Sequence, residues 1–134
     1  MTRTGGCHCG DVRYEVEGQP AYHAICHCDS CRASAGAPMV SWAAFKADQF
    51  TLKSGTPKSF EGTPGAERSF CPRCGTGLFY RNEKVLPGLV DIQSSTFDDA
   101  GAHAPAIQVQ CAERLPWMTS VADMTEFERF PSSG

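Results

Sequence analysis

The chain has 134 residues, a formal net charge of −3 at pH 7 and 8 cysteines. That length, with no shift of composition along it, fits a single domain over 1–134 with a real but modest core. An acidic balance without a Lys/Arg cluster argues against a phosphate backbone as partner, and no apolar run approaches the ~18 residues of a bilayer span, so neither nucleic acid nor membrane is expected.

The opening Met1-Thr2-Arg3-Thr4-Gly5-Gly6 offers no apolar stretch as a secretory signal, so a cytoplasmic location with reduced thiols is the expectation. Alternation starts at Val12-Arg13-Tyr14-Glu15-Val16, which puts Val12, Tyr14 and Val16 on one face of a strand. Further strands are predicted from Tyr22 to Ile25, Met39 to Ala43, Phe50 to Ser54, Lys58 to Glu61, Glu67 to Phe70, Leu78 to Arg81, Leu89 to Gln93 and Ile107 to Ala112, most of them bounded by Gly and Pro. The best helical segment runs from Asp29 through Ala35, capped by Asp29 or Ser30 and stopped by Gly36-Ala37-Pro38. The fold class is therefore mostly β, with few short helical turns; Ser132-Ser133-Gly134 reads as a frayed end.

Seven cysteines fall into three clusters: Cys7 with Cys9, Cys26 with Cys28 and Cys31, and Cys71 with Cys74. In a reduced compartment this is a metal-ligand pattern, and seven thiolates divide naturally into a closed site of four and a site of three with a vacant position. In extended chain, residues two apart share a face, so Cys7 and Cys9 reach one metal while His8 points away, and Cys26 and Cys28 do the same around His27. Cys71-Pro72-Arg73-Cys74 is a knuckle, closed by Gly75.

Two pairings are open. Cys28 and Cys31 can join Cys71 and Cys74, or Cys7 and Cys9 can join them and leave Cys26, Cys28 and Cys31 as a compact triple. Local chemistry favours the second, because Cys9-Gly10 and Cys74-Gly75 share the glycine of a closed knuckle whereas Cys31 precedes Arg32. His23, His27, His103 or Asp29 could still complete a second closed site, although alternation turns His27 away. Cys111 reads as a buried, inert thiol on the face of Ile107 and Val109. Trp42, Phe45, Phe50, Phe60, Phe79, Phe97 and Trp117 read as core, and Arg68, Arg73 and Arg81 as solvated charges. Arg32 has the strongest claim to a site role, beside an anionic cluster.

The residues Gly6-Cys7-His8-Cys9-Gly10, Val12-Arg13-Tyr14, Cys26-His27-Cys28-Asp29-Ser30-Cys31-Arg32, Gly36-Ala37-Pro38 and Phe70-Cys71-Pro72-Arg73-Cys74-Gly75 resemble the glutathione-dependent formaldehyde-activating enzyme family, which includes centromere protein V. The resemblance implies a small zinc-stabilised β-tent-like domain with two zinc ions: a structural one on Cys7, Cys9, Cys71 and Cys74, and a catalytic one on Cys26, Cys28 and Cys31. Two departures stand out. Ala106 occupies a place where many members carry histidine, and Asp123-Met124-Thr125 replaces their usual Asp-Gly-Leu-Pro. Both bear on substrate identity rather than on the metal sites.

The expected activity is that of a zinc-dependent carbon-sulfur lyase acting on a thiol/aldehyde adduct, with glutathione and formaldehyde as the pair the resemblance implies. A small-molecule thiol would take the vacant zinc position and lose its proton there. Three thiolates make the zinc a weak Lewis acid, which disfavours hydrolysis, and a fourth makes the site anionic, with Arg32 as the counter-charge. The alternatives are a non-catalytic zinc-stabilised binding module and, less favoured, a redox switch between Cys28 and Cys31.

Overall fold

A computed structural model describes residues 1–131; the reading of Ser132-Ser133-Gly134 lies outside the described residues. Two open sheets account for most of the fold. The smaller is antiparallel, in the order β1 (Thr2–Gly6), β2 (Arg13–Glu17), β5 (Phe50–Ser54). The larger has seven strands: β10 (Ile107–Val109), β3 (Tyr22–Cys26), β4 (Val40–Lys46), β9 (Leu89–Gln93), β8 (Gly77–Arg81), β7 (Glu67–Phe70) and β6 (Lys58–Glu61), in that spatial order. All its pairs are antiparallel except β10 with β3. One helix, α1 (Asp29–Ala35), follows β3 and ends at Gly36 in the left-handed region. Among the described residues no helix is long and apolar enough to cross a membrane.

The period-2 pattern explains how the sheets meet. Val12, Tyr14 and Val16 are all fully buried, and they join Ala43, Phe45, Phe79, Val90, Ile92 and Phe97 in one core cluster. Tyr14 packs edge-on to Phe79 with ring centroids 5.4 Å apart, and its hydroxyl meets Thr96 Oγ1 at 2.7 Å, so the buried phenol is satisfied. The opposite face of the seven-stranded sheet carries the complementary residues of the same strands. Cross-strand pairing aligns Tyr22, Ala44, Asp91, Tyr80, Arg68 and Phe60 in one row over six strands. Four of these six, Tyr22, Asp91, Tyr80 and Arg68, are polar or titratable.

Several expectations are corrected. Thr2–Gly6 forms a strand that the sequence did not signal, because its two glycines and Arg3 disguise the alternation, yet Arg3 and Gly5 are buried against the core. The last predicted strand stops at Val109: Gln110 takes φ 56°, breaking the alternation, and Cys111 lies exposed in a 3₁₀ turn rather than buried. Phe60 and Trp117 are exposed at 63% and 48%, since β6 is an edge strand and Trp117 sits in a 3₁₀ segment (Pro116–Asp123) outside the core.

Candidate functional site

The first cysteine pair sits not in extended chain but in a tight turn. Gly10 N donates to Cys7 O at 3.1 Å and Cys7 N to Val12 O at 3.0 Å, with Gly10 at φ 86°. The Cys71–Cys74 turn repeats the motif: Gly75 N donates to Cys71 O at 2.8 Å, Cys71 N to Thr76 O at 3.0 Å, and Gly75 has φ 80°. Each glycine supplies the left-handed step that curls the backbone around its sulfurs. The two turns face each other, and the four sulfurs lie within 4.8 Å of one another.

These thiols fit a tetrahedral metal. Cys7 Sγ and Cys9 Sγ are 3.6 Å apart, and Cys9 Sγ and Cys71 Sγ 3.7 Å. A tetrahedron with metal–sulfur bonds of ~2.3 Å has edges of ~3.8 Å, close to both. Val12 N donates to Cys7 Sγ at 3.2 Å, and the Thr76 hydroxyl meets Cys74 Sγ at the same distance, stabilising thiolate charge. The Thr76 hydroxyl and N–H bring the Cys74 thiol down to about 5.

The other three cysteines come together on the polar face of the seven-stranded sheet. Cys26 ends β3, Cys28 is the N-cap of α1, and Cys31 lies in its first turn with its N–H donating to Cys28 Sγ at 3.3 Å. Their sulfurs lie within 4.8 Å of one another, and among the described residues no fourth His, Cys, Asp or Glu joins them. The histidines are committed elsewhere. His27 is buried and its Nε2 meets Gln108 Oε1 at 2.8 Å; His23 meets Ser94 Oγ at 2.7 Å; His103 packs edge-on to Phe97. Asp29 is exposed, with its backbone N–H capped by Glu113 Oε1.

The triple opens onto a cavity of about 230 Å³ whose walls include Tyr22, Trp42, Arg68, Tyr80 and Asp91. Arg68 stands over the Tyr80 ring, its Cζ 4.9 Å from the centroid, and both terminal nitrogens lie 3.9 Å from Cys31 Sγ. Burial pushes the Cys26 and Cys31 thiols up, Cys31 to about 12, while the Arg68 charge works in the opposite direction on Cys31. Thiols buried this deeply become thiolates when a cation joins them, which is what a three-thiol metal set requires.

Arg32, the arginine that the sequence favoured, is not brought into this cavity. Its Nε donates to His27 O at 3.2 Å and its Nη2 to Glu113 O at 3.4 Å, so it ties α1 to the 3₁₀ turn after β10. Arg68 stands where the counter-charge is needed. Its local Glu67-Arg68-Ser69 context looks like solvated surface, and only the pairing of β7 with β8 places it beside Cys31.

Asp91 is the second residue the sequence did not single out. It is 4% exposed; its Oδ2 accepts from the Tyr22 hydroxyl at 3.1 Å, and its Oδ1 is buried without a partner. Burial raises its carboxyl from the usual range to about 6. Because the folded value lies above the unfolded ~3.9, Asp91 favours folding most below pH ~4, and this contribution is lost as pH rises through about 6. Asp91→Asn keeps an acceptor for Tyr22 and removes the titration. The stability difference between variant and wild type is expected to grow from pH 4 to 6 and level off above, at up to about 2 kcal/mol in favour of the variant. Paired denaturant melts across that range check this, and a pH-independent difference would contradict it.

Comparison with known proteins follows the same outline. A sequence model of the family described as glutathione-dependent formaldehyde-activating enzyme matches residues 2–113, which take in both cysteine sets, Arg68 and Asp91. Among solved structures, the crystal structure of a Rhodobacter sphaeroides protein superposes with a TM-score of 0.64 at 21% identity, covering 79% of this chain and 99% of that one. At that identity the likeness shows a shared fold.

Proposed function

The chain belongs to the glutathione-dependent formaldehyde-activating enzyme family, and on that premise we propose that it is a zinc-dependent carbon-sulfur lyase acting on a thiol/aldehyde adduct, with glutathione and formaldehyde as the reacting pair. Cys26, Cys28 and Cys31 would hold the catalytic zinc, and Cys7, Cys9, Cys71 and Cys74 the structural one. The observation that carries this reading is a three-thiol set, without a fourth ligand among the described residues, opening onto a cavity that also holds a guanidinium and a buried carboxyl.

When bound at the triple, zinc would supply a vacant coordination position and lower the pKa of an incoming thiol. The chain's own residues account for the remaining demands. A thiolate entering beside three others adds negative charge, and Arg68 over Tyr80 offsets it from a fixed position, since the ring holds the guanidinium in place. Asp91 holds the proton. The carboxylate receives it from the thiol, sulfur bonds to the carbonyl carbon as the C=O π pair moves to oxygen, and Asp91 returns the proton to that oxygen, giving a hydroxymethyl thioether. Cleavage is the same sequence reversed. A carboxyl held near 6 suits both directions at neutral pH. Tyr22, donating to Asp91 Oδ2, leaves Oδ1 as the free acceptor.

Exchange spectroscopy of formaldehyde with glutathione tests the proposal. The zinc-loaded protein is expected to accelerate exchange by about 10²-fold or more over the spontaneous reaction. No acceleration where the spontaneous reaction is visible would sink the formaldehyde assignment.

A further inference from the structure

A second cavity, of about 890 Å³, lies near the core edge where β1 and β3 begin, separate from the cysteine triple although Tyr22 contributes to the walls of both. Its notable component is Arg3. The residue is 7% exposed, yet among the described residues it forms no ion pair. Its Nη2 donates to the neutral Gln19 Oε1 at 3.1 Å, and its Nε is enclosed without a partner. The Phe45 and Phe97 rings lie 5.7 and 5.8 Å from its Cζ, fixing the guanidinium plane and returning only part of what its dehydration costs. A cation buried to this degree without a counter-charge is electrostatically incomplete.

The surroundings limit what can complete it. Asp98 lines the cavity, but its carboxylate is held by both terminal nitrogens of Arg13 and by the Thr4 hydroxyl, and Asp99 is exposed to solvent. His23 is engaged with Ser94, and burial together with the Arg3 charge keeps it toward its neutral form. One uncompensated cation facing two carboxylates suits a single negative charge rather than a dianion. The walls also include Pro20, Phe97 and Ala106, which give an organic tail apolar contact. Ala106 contributes only a methyl group here, on a backbone whose N–H donates to His23 O at 2.9 Å.

From these features we infer that the cavity at Arg3 is a binding site for a small free monocarboxylate, whose carboxylate pairs with the guanidinium while its tail rests on the apolar wall. The site is independent of the proposed lyase chemistry and is read without turnover.

Titration with acetate and propionate, followed through the ring C–H resonances of His23 and His103, is the test. Saturable shifts are expected, with propionate the tighter ligand because its longer tail reaches the apolar wall. Gln19→Glu places a carboxylate on the atom that already meets Arg3 Nη2. This variant should melt higher than wild type without ligand and bind propionate about tenfold more weakly or worse. Arg3→Gln should also abolish the shifts; the Gln19 variant keeps the test decisive if Arg3→Gln does not fold. The inference is overturned by the absence of saturable shifts, by equal shifts with propionamide, by inorganic phosphate binding as tightly as propionate, or by unchanged propionate affinity in Gln19→Glu.

Discussion

Replacing Cys71 by Ser is expected to cost the protein its folded state at ambient temperature, with loss of metal from the four-cysteine site. Cys71 is fully buried and belongs to the main core cluster, so the sulfur proposed as a ligand is also a packed core atom. The turns that it and Cys7 anchor join the hairpin of β7 and β8 to the β1–β2 corner, far apart in sequence, and the remaining links between the two turns are exposed ones: His8 N donating to Thr76 Oγ1 at 3.1 Å and Arg73 paired with Asp11 at 3.2 Å. Structural zinc contributes ~10–16 kcal/mol in small domains, whereas whole-domain stability is ~5–15 kcal/mol, so losing one of four ligands exceeds what a modest core can absorb. Elemental analysis and thermal melts provide the readout. Cys111→Ser serves as the reference: its thiol is exposed and outside both sets, and its melt should lie within about 0.5 kcal/mol of wild type. A Cys71→Ser protein melting with the reference would contradict a structural role for this site.

Cys28→Ser should separate function from fold. The residue caps α1, accepting from Cys31 N, and serine is among the better N-cap residues, so the helix start is preserved. What changes is the thiol set: metal content should fall by one per chain while the far-UV spectrum stays that of wild type. Formaldehyde–glutathione exchange is expected to return to its spontaneous rate. Glutathione at 100 times its Kd should stabilise the wild type by about 2.7 kcal/mol and the variant not at all. If Cys28→Ser collapses as Cys71→Ser does, and glutathione leaves the wild-type melt unmoved, both metals are structural and the protein is a zinc-stabilised binding module. The two variants together thus distinguish a closed centre from an open one without relying on activity alone.

The ease of reading this protein from its sequence differed sharply between kinds of residue. The cysteines were legible because each cluster is local: sulfurs two or three residues apart converge through a turn or a cap whatever the rest of the fold does. Alternation likewise anticipated the buried face of β2, and strand and helix signals placed four strands and α1 at their observed limits. Arg68 and Asp91 were not legible, because their roles depend on the pairing of β7, β8 and β9, and neither has a distinctive neighbour in the chain. The preference for Arg32 followed sequence proximity to Cys31, whereas the structure spends that side chain on backbone carbonyls. Cys111 failed for a related reason: one left-handed residue, Gln110, ended a pattern that side-chain polarity alone suggested would continue.

The cross-strand row running from Tyr22 to Phe60 also bears on how the protein can diversify. Its members are held one strand spacing apart, ~4.8 Å, by backbone hydrogen bonds that are indifferent to side-chain identity. On β8 and β9 the chain neighbours Phe79, Val90 and Ile92 point through the sheet into the packed interior, so a change at Tyr80 or Asp91 alters the cavity while leaving the interior's volume intact. Substrate range and structural integrity are thereby written on alternate residues of the same strands, and the first can drift while the second is held constant.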